Sequence, residues 1–320
     1  MSMEDRDGWI WMDGRLVPWR DAKVHMLSYT FQHGAGCFEG VRAYDGLLGP
    51  AVFRLRDHTE RFFNSAKILG MPMPFTLDEI DAAHLAVIRA NGLHQCYIRP
   101  VGYYDGKVVG VSAAGNDVHV AIAVWPWEAY LGDEARERGI RVKTSSFTRH
   151  HPNAALGKAK ANGHYINSML AVMEARRSGY SDALMLDMHG HVAECSTSNL
   201  FMLQGGRLAT PPRTSVLEGI TRDTVMTLAR ERCYPVEERV ITRDELYCAD
   251  ELFVTGTAAE VTPVVELDDR PIGGGSPGSV TRLLQEAYFD AVYGRDASKH
   301  GWLTPISDAT DPAPSAGADA

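Results

Sequence analysis

Short strand-like runs alternate with amphipathic helical segments along almost the whole chain, and this order restricts it to a mixed α/β or α+β architecture. A helical bundle or a β-sandwich would not interleave the two periodicities. Trp9-Ile10-Trp11-Met12 and Arg15-Leu16-Val17 flank Asp13-Gly14, which predicts an opening β-hairpin. Further strands are predicted over residues 37–44, 51–55, 97–104 and 118–125. A capping signal at Asp57-His58-Thr59-Glu60 starts a helix that ends near Gly70, ahead of Pro72 and Pro74. Thr76-Leu77-Asp78-Glu79 reads as a capping box, after which Leu77, Ile80, His84, Leu85 and Ile88 recur at helical spacing. Strands at 141–146, 183–188, 200–203 and 252–255 then alternate with helices over about 163–178, 221–232 and 279–292. The change of texture at Trp125-Pro126-Trp127 and the polar run 132–139 divide the chain. We expect an N-terminal domain over 1–127, a linker over 128–138 and a C-terminal domain over 139–306. The Asp/Ala/Pro/Ser/Gly-rich segment 307–320 reads as a flexible tail.

With 320 residues, 45% of them hydrophobic and 23% charged, the chain can bury a sizeable core, so disorder and small disulfide scaffolds are excluded. The net charge of −9, with no Lys/Arg run longer than two, argues against nucleic-acid binding. Five scattered cysteines without a C-x-x-C pair fit a reducing compartment. No apolar run is long enough to cross a bilayer, and the charged start lacks a signal-peptide core, so a cytoplasmic protein that avoids membranes is expected. Asp187-x-His189-x-His191 has the composition of a metal site. Gly190 between the histidines favours a turn, and no metal is expected. Gly34-x-Gly36-x-x-x-Gly40 has the wrong spacing for a dinucleotide fingerprint.

Four separated segments carry chemistry. Lys160 lies just before a predicted helix start, five residues ahead of Tyr165, and an amine there can form a Schiff base; Lys158 is a rival on the residues alone. Glu194 enters ahead of an apolar strand, with Asn199 five residues on. Gly219-Ile220-Thr221 opens a predicted helix whose amides and dipole suit a phosphate. Thr255-Gly256-Thr257 closes a strand with two hydroxyls, which can form a second phosphate cup or a plain turn.

Together these segments resemble the class-IV aminotransferases, the pyridoxal-phosphate enzymes of fold type IV. The match runs through Glu194-x-Ser196-x-x-Asn199-Leu200-Phe201, Leu208-x-Thr210 and Leu217-x-Gly219-Ile220-x-Arg222. It continues in Phe38-Glu39-Gly40-Val41-Arg42, Arg61, Ser65-Ala66-Lys67 and Gly256-Thr257-Ala258-Ala259-Glu260, covering about residues 9–305. Within the class, Tyr97-Ile98-Arg99 and Tyr130-Leu131-Gly132 look most like branched-chain amino acid aminotransferases. The resemblance implies a smaller N-terminal α/β domain and a larger C-terminal pseudo-barrel domain, with the cofactor, pyridoxal 5'-phosphate, in the cleft between them.

It also implies roles. Lys160, chosen over Lys158 by the family spacing to Tyr165, would hold the cofactor as an internal aldimine and then act as general acid/base. Tyr165 would hydrogen-bond the phenolic oxygen, and Glu194 would keep the pyridine nitrogen protonated. Arg61, the amides of Ile220 and Thr221, and Thr257 would hold the phosphate. Leu217, Gly219 and Gly256 complete the cofactor set, and Asn199 supports the Glu194 loop. Tyr97 with the amides of Thr257 and Ala258 would take the substrate α-carboxylate, and Arg99 the distal carboxylate of glutamate or 2-oxoglutarate. Tyr97 and Arg99 are two apart on a strand and so project from one face. Phe38, Tyr165, Val109 and a partner subunit's Tyr130 would form an apolar wall, with Gly40 leaving space beside the Phe38 ring. The expected reaction moves the amino group of Leu, Ile or Val to 2-oxoglutarate, in a homodimer or an assembly of dimers. D-amino acid or (R)-amine transaminases and aminodeoxychorismate lyases are rivals in the same fold. His33 stands where relatives commonly carry Tyr in the substrate pocket, and residues 103–109 depart from the usual loop sequence. Cys195 is a candidate oxidation sensor.

Overall fold

The computed structural model describes residues 3–127, 133–214 and 216–306. Tyr130, part of the expected linker and the expected tail over 307–320 lie outside the described residues. The chain forms two compact units of similar length, because Ala159–Gly163 and residues 291–306 pack with residues 3–127 rather than with the second unit.

The first unit contains β1 (Trp9–Met12), β2 (Arg15–Pro18), α1 (Tyr29–His33), β3 (Gly36–Phe38), β4 (Val41–Gly46) and β5 (Gly49–Phe53). These are followed by α2 (Leu55–Ile68), α3 (Leu77–Ala90), β6 (Cys96–Tyr104) and β7 (Val118–Trp125). Its eight-stranded sheet runs from the late strand Leu303–Pro305 through β5, β4, β6, β7 and β1 to β2, with β3 also on β6. Every pair in it is antiparallel. The alternating burial of β6 turns Ile98 into a core with Val41, Val52 and Ile122, which Phe62 and Ala66 of α2 and Ile80, Val87 and Ile88 of α3 complete.

Two local signals resolve differently from expectation. The run 37–44 is broken after Phe38: the Glu39 amide still donates to the Pro100 carbonyl at 3.0 Å, but Pro100 has no N–H to return a bond, and pairing with β6 resumes at Val41. Helix α2 starts at Leu55 and not at Asp57: Arg54 turns the chain at φ 52°, and the Asp57 carboxylate accepts from Arg54 Nε and Nη2 at 2.9 and 2.7 Å. The Thr76/Glu79 capping box forms, with the Glu79 amide donating to Thr76 Oγ1 at 3.3 Å and the Thr76 amide to Glu79 Oε2 at 2.7 Å. The segment Ala159–Gly163 lies along β3, its Lys160 carbonyl accepting from the Phe38 amide at 3.1 Å. Ala161 bridges Cys37 there.

The second unit contains α4 (Asp133–Arg138), β8 (Ile140–Thr144), α5 (Tyr165–Arg177), β9 (Asp182–Leu186), β10 (Val192–Cys195), β11 (Asn199–Gln204) and β12 (Arg207–Thr210). Next come α6 (Ile220–Glu231), β13 (Val236–Glu238), α7 (Arg243–Tyr247), β14 (Glu251–Gly256), β15 (Glu260–Leu267), β16 (Arg270–Pro271) and α8 (Ser279–Val292). The nine-stranded mixed sheet has the order β10-β9-β8-β15-β14-β11-β12-β13, with β16 on β15. β8 runs parallel to β9 and β15, and β12 parallel to β13. Leu184, Val192, Leu200, Leu252, Val254 and Val264 fill its core. At 187–191 the Asp187 carboxylate accepts from the amides of His189 and His191 at 2.8 and 2.9 Å, which makes this segment a turn. Among the described residues no helix is long and apolar enough to cross a membrane.

Candidate active site

On the first unit, Lys160 is held by its backbone. Its amide donates to Ser65 Oγ at 3.0 Å, its carbonyl accepts from Phe38, and buried Ala159 and Ala161 flank it. Its Nζ lies 5.1 Å from the centre of the Phe38 ring. Tyr97 and Arg99 share a face of β6 as their spacing dictates: Arg99 Nη2 donates to the Tyr97 hydroxyl at 3.2 Å. The Arg99 guanidinium also lies 4.7 Å from the Phe38 ring centre, while its buried Nε has no hydrogen-bond partner. Trp125 and Trp127 pack on the Tyr97 ring at 5.2 and 4.9 Å.

Gly40 leaves space for Tyr97 and not for the Phe38 ring: a Cβ there would lie 2.0 Å from the Tyr97 hydroxyl oxygen. His33 ends α1 on the surface, its ring stacked on Tyr29 at 4.4 Å. Val109 is exposed within the single chain.

Sequence reasoning gave Glu39 no role. This fully buried carboxylate accepts from Arg61 Nε at 2.6 Å and Nη2 at 2.8 Å, and from His58 Nδ1 at 2.8 Å. Burial by itself would raise its pKa, but the Arg61 charge and these hydrogen bonds outweigh it and hold the carboxyl far below its usual range. Arg61, expected on the phosphate, is thus fixed from one side by its two-pronged pairing with the Glu39 carboxylate. The available signal was an acid inside an apolar run, Cys37-Phe38-Glu39-Gly40-Val41.

On the second unit, Glu194 sits on β10, almost wholly buried. Arg149 Nη2 lies 2.7 Å from its Oε1, while Asn199 Nδ2 and the Leu217 amide donate to Oε2 at 3.2 and 3.3 Å. Asn199 Nδ2 also reaches the Leu217 carbonyl at 3.0 Å. Asn199 pairs in register with Thr255, and its Oδ1 fills the place of a Gly219 Cβ, which would lie 2.0 Å away. Asn199 therefore ties Glu194 to the approach of α6 through its side chain, and to the end of β14 through its strand pairing. Gly219 caps α6 without a side-chain hydrogen bond. Thr221 is buried, and Thr255 Oγ1 is buried with no partner. Gly256 to Ala258 follow at the end of β14, and Tyr165 is the first residue of α5.

Arg149 was not anticipated, because no local pattern marks an arginine that meets its partner 45 positions later. Lys158 is half-exposed and paired with Glu218. Cys195 does not suit oxidation sensing: burial pushes its thiol well above the usual range, and the inert thiol, not the thiolate, persists.

A sequence profile of the family described as Amino-transferase class IV matches residues 36–267. The chain belongs to the class-IV aminotransferases. Among members of this class, it is 53% identical over 304 residues to the branched-chain-amino-acid aminotransferase of Pseudomonas aeruginosa, covering 95% of this chain and 99% of that one. It is 44% identical over 301 residues to the enzyme of the same name from Escherichia coli K12, covering 93% and 97%. Among solved structures, the T.th. branched-chain amino acid aminotransferase with pyridoxamine 5'-phosphate superposes with a TM-score of 0.92 at 47% identity, covering 94% of this chain and 99% of that one. The E. coli branched-chain enzyme superposes with a TM-score of 0.91 at 44% identity, covering 94% and 100%. This class-IV aminotransferase thus has the fold and nearly the full length of those relatives.

Proposed function

We propose that this chain is a branched-chain-amino-acid aminotransferase, which moves the amino group of Leu, Ile or Val to 2-oxoglutarate with pyridoxal 5'-phosphate as cofactor. The observation that carries the substrate reading is the adjacent placement of Tyr97, Arg99 and Phe38. The ring supplies apolar surface, and the Arg99 guanidinium beside it retains a buried Nε donor without a partner. One pocket can then take a branched side chain in one half-reaction and a distal carboxylate in the other.

The residues fit the cofactor. The helix start at Gly219-Ile220-Thr221 has no side-chain cap and presents amides and a positive dipole end to an anion. The orphaned Thr255 hydroxyl, in register with Asn199, suits the same acceptor. Glu194 supplies the acid that a pyridine nitrogen needs. Ile220, Thr221, Thr257 and Arg61 would hold the phosphate, with Leu217, Gly219 and Gly256 shaping the backbone around it, and Tyr165 would hold the phenolic oxygen. When bound, the cofactor supplies an electron sink for the bond at the substrate Cα. Lys160 Nζ would hold it and, once released, would move the proton between the substrate Cα and the cofactor's C4′, the backbone pins at Ser65 and Phe38 fixing the side chain's base. Tyr97 and the amides of Thr257 and Ala258 orient the α-carboxylate, and Arg99 the distal one.

We place the chain in the cytoplasm as a homodimer. The exposed apolar stripe Ile166, Met169, Leu170 and Met173 on α5 recurs at helical spacing and supports a face covered by a second copy.

Arg99→Ala tests the substrate reading through single half-reactions. The rate with L-glutamate should fall roughly 100-fold or more, as expected for a lost charge-assisted contact, and the rate with L-leucine by less than about tenfold. Equal losses would refute dual recognition.

A further inference from the structure

A buried carboxylate facing a pyridine nitrogen shares one proton with it and has two ways to settle. The proton can stay on nitrogen, giving a carboxylate–pyridinium pair, or move to oxygen, giving a neutral pair. A poorly solvated site favours the neutral pair, because two separated charges lose hydration. Glu194 is almost wholly buried, so something in the chain must oppose that drift.

Arg149 is placed to do so. Its Nη2 lies 2.7 Å from Glu194 Oε1. It is anchored in turn: Nη1 donates to Ser168 Oγ at 3.3 Å, and its backbone amide to the Leu186 carbonyl at 2.8 Å. Asn199 Nδ2 and the Leu217 amide donate to Oε2. All three donors favour the charged carboxylate, and a proton moving onto Glu194 would approach the Arg149 cation.

We propose that Arg149 is a positioning residue that keeps the shared proton on the ring nitrogen of pyridoxal phosphate and off Glu194, an inference that rests on the cofactor reading above. The nitrogen–hydrogen bond is retained and no carboxylic O–H bond forms; no other atom changes hands. A protonated ring is the stronger electron sink, so Arg149 acts on Cα chemistry through Glu194 without touching substrate.

The test is nitrogen NMR of holoenzyme reconstituted with pyridoxal phosphate labelled at the ring nitrogen, in wild type, Arg149→Lys, Arg149→Gln and Arg149→Met. Gln keeps a hydrogen bond to Glu194 but removes the charge, and it serves if the Met variant does not fold. Wild type and the Lys variant should give a pyridinium resonance. The Gln and Met variants should shift to the resonance of a neutral pyridine, with kcat for L-leucine down roughly tenfold or more and KM little changed. A pyridinium resonance in wild type and in the charge-removing variants would overturn the role of Arg149 alone. A wild-type nitrogen that is already neutral, or no bound cofactor, would overturn the Glu194 reading together with it.

Discussion

Gly40 shows how one missing side chain sets a site. Tyr97 fills the space a Cβ would need, and its hydroxyl meets Arg99. Gly40→Ala would push the Tyr97 ring against Trp125 and Trp127 or displace the β3–β4 link, costing about 1–3 kcal/mol as overpacking does. KM for L-leucine should rise, and Tyr97→Phe in the Gly40→Ala background should recover part of the stability by removing the clashing oxygen. Unchanged KM and unfolding midpoint in Gly40→Ala would refute this. Tyr97 and Arg99 were legible as neighbours, since alternation on a strand is local geometry. The contact between Gly40 and Tyr97 was not, because it depends on how β4 meets β6, with Arg42 opposite Tyr97. Glu39 was hidden for a related reason: its partners Arg61 and His58 come from another element, and an acid in an apolar run does not reveal what satisfies it.

Among the elements, α6 and its approach carry a tight constraint. Gly219 has ordinary extended backbone, φ −69° and ψ 129°, so no strain forbids another residue. What forbids it is Asn199 Oδ1, 2.0 Å from where a Cβ would be. Gly219→Ala must displace Asn199, which holds Glu194 and Leu217 at once. Affinity of the apoprotein for pyridoxal phosphate, read by fluorescence titration, should fall about tenfold or more, roughly 1.4 kcal/mol. Affinity within twofold of wild type would contradict that linkage. The start of α6 was legible from apolar periodicity after Thr221, and the Thr76/Glu79 cap of α3 from its two residues, because both signals are short-range. The start of α2 was misplaced for the opposite reason. Asp57 has the composition of a cap, yet Arg54 bends the chain earlier and takes the carboxylate for itself.

For the whole molecule, buried histidines make stability depend on acid. His84 lies inside the first unit with Nδ1 donating to the Ile80 carbonyl at 2.7 Å, and burial, only partly offset by that bond, pushes its pKa from the ordinary 6.5 down to about 4. Burial also lowers His58, against the opposing pull of Glu39. A depressed folded-state pKa means the unfolded chain binds more protons between about 4 and 6.5. The His84 contribution is therefore complete above pH 6.5 and lost as pH falls toward 4, on the order of 3 kcal/mol. Urea unfolding of His84→Leu should show a shallower decline across that window than wild type, whatever its baseline; parallel curves would refute the assignment. Mixed architecture was legible in the interleaved periodicities. The return of Ala159–Gly163 to the first unit was not, because it is fixed by pairing with Phe38 and Cys37, far away in sequence. That return sets the Lys160 backbone against Ser65 and Phe38, while Lys158 is engaged by Glu218. Borohydride reduction of the holoenzyme followed by peptide mapping tests this most directly: the reduced cofactor should be found on Lys160 with Lys158 unmodified, and an adduct on Lys158 or elsewhere, or none at all, would contradict the account.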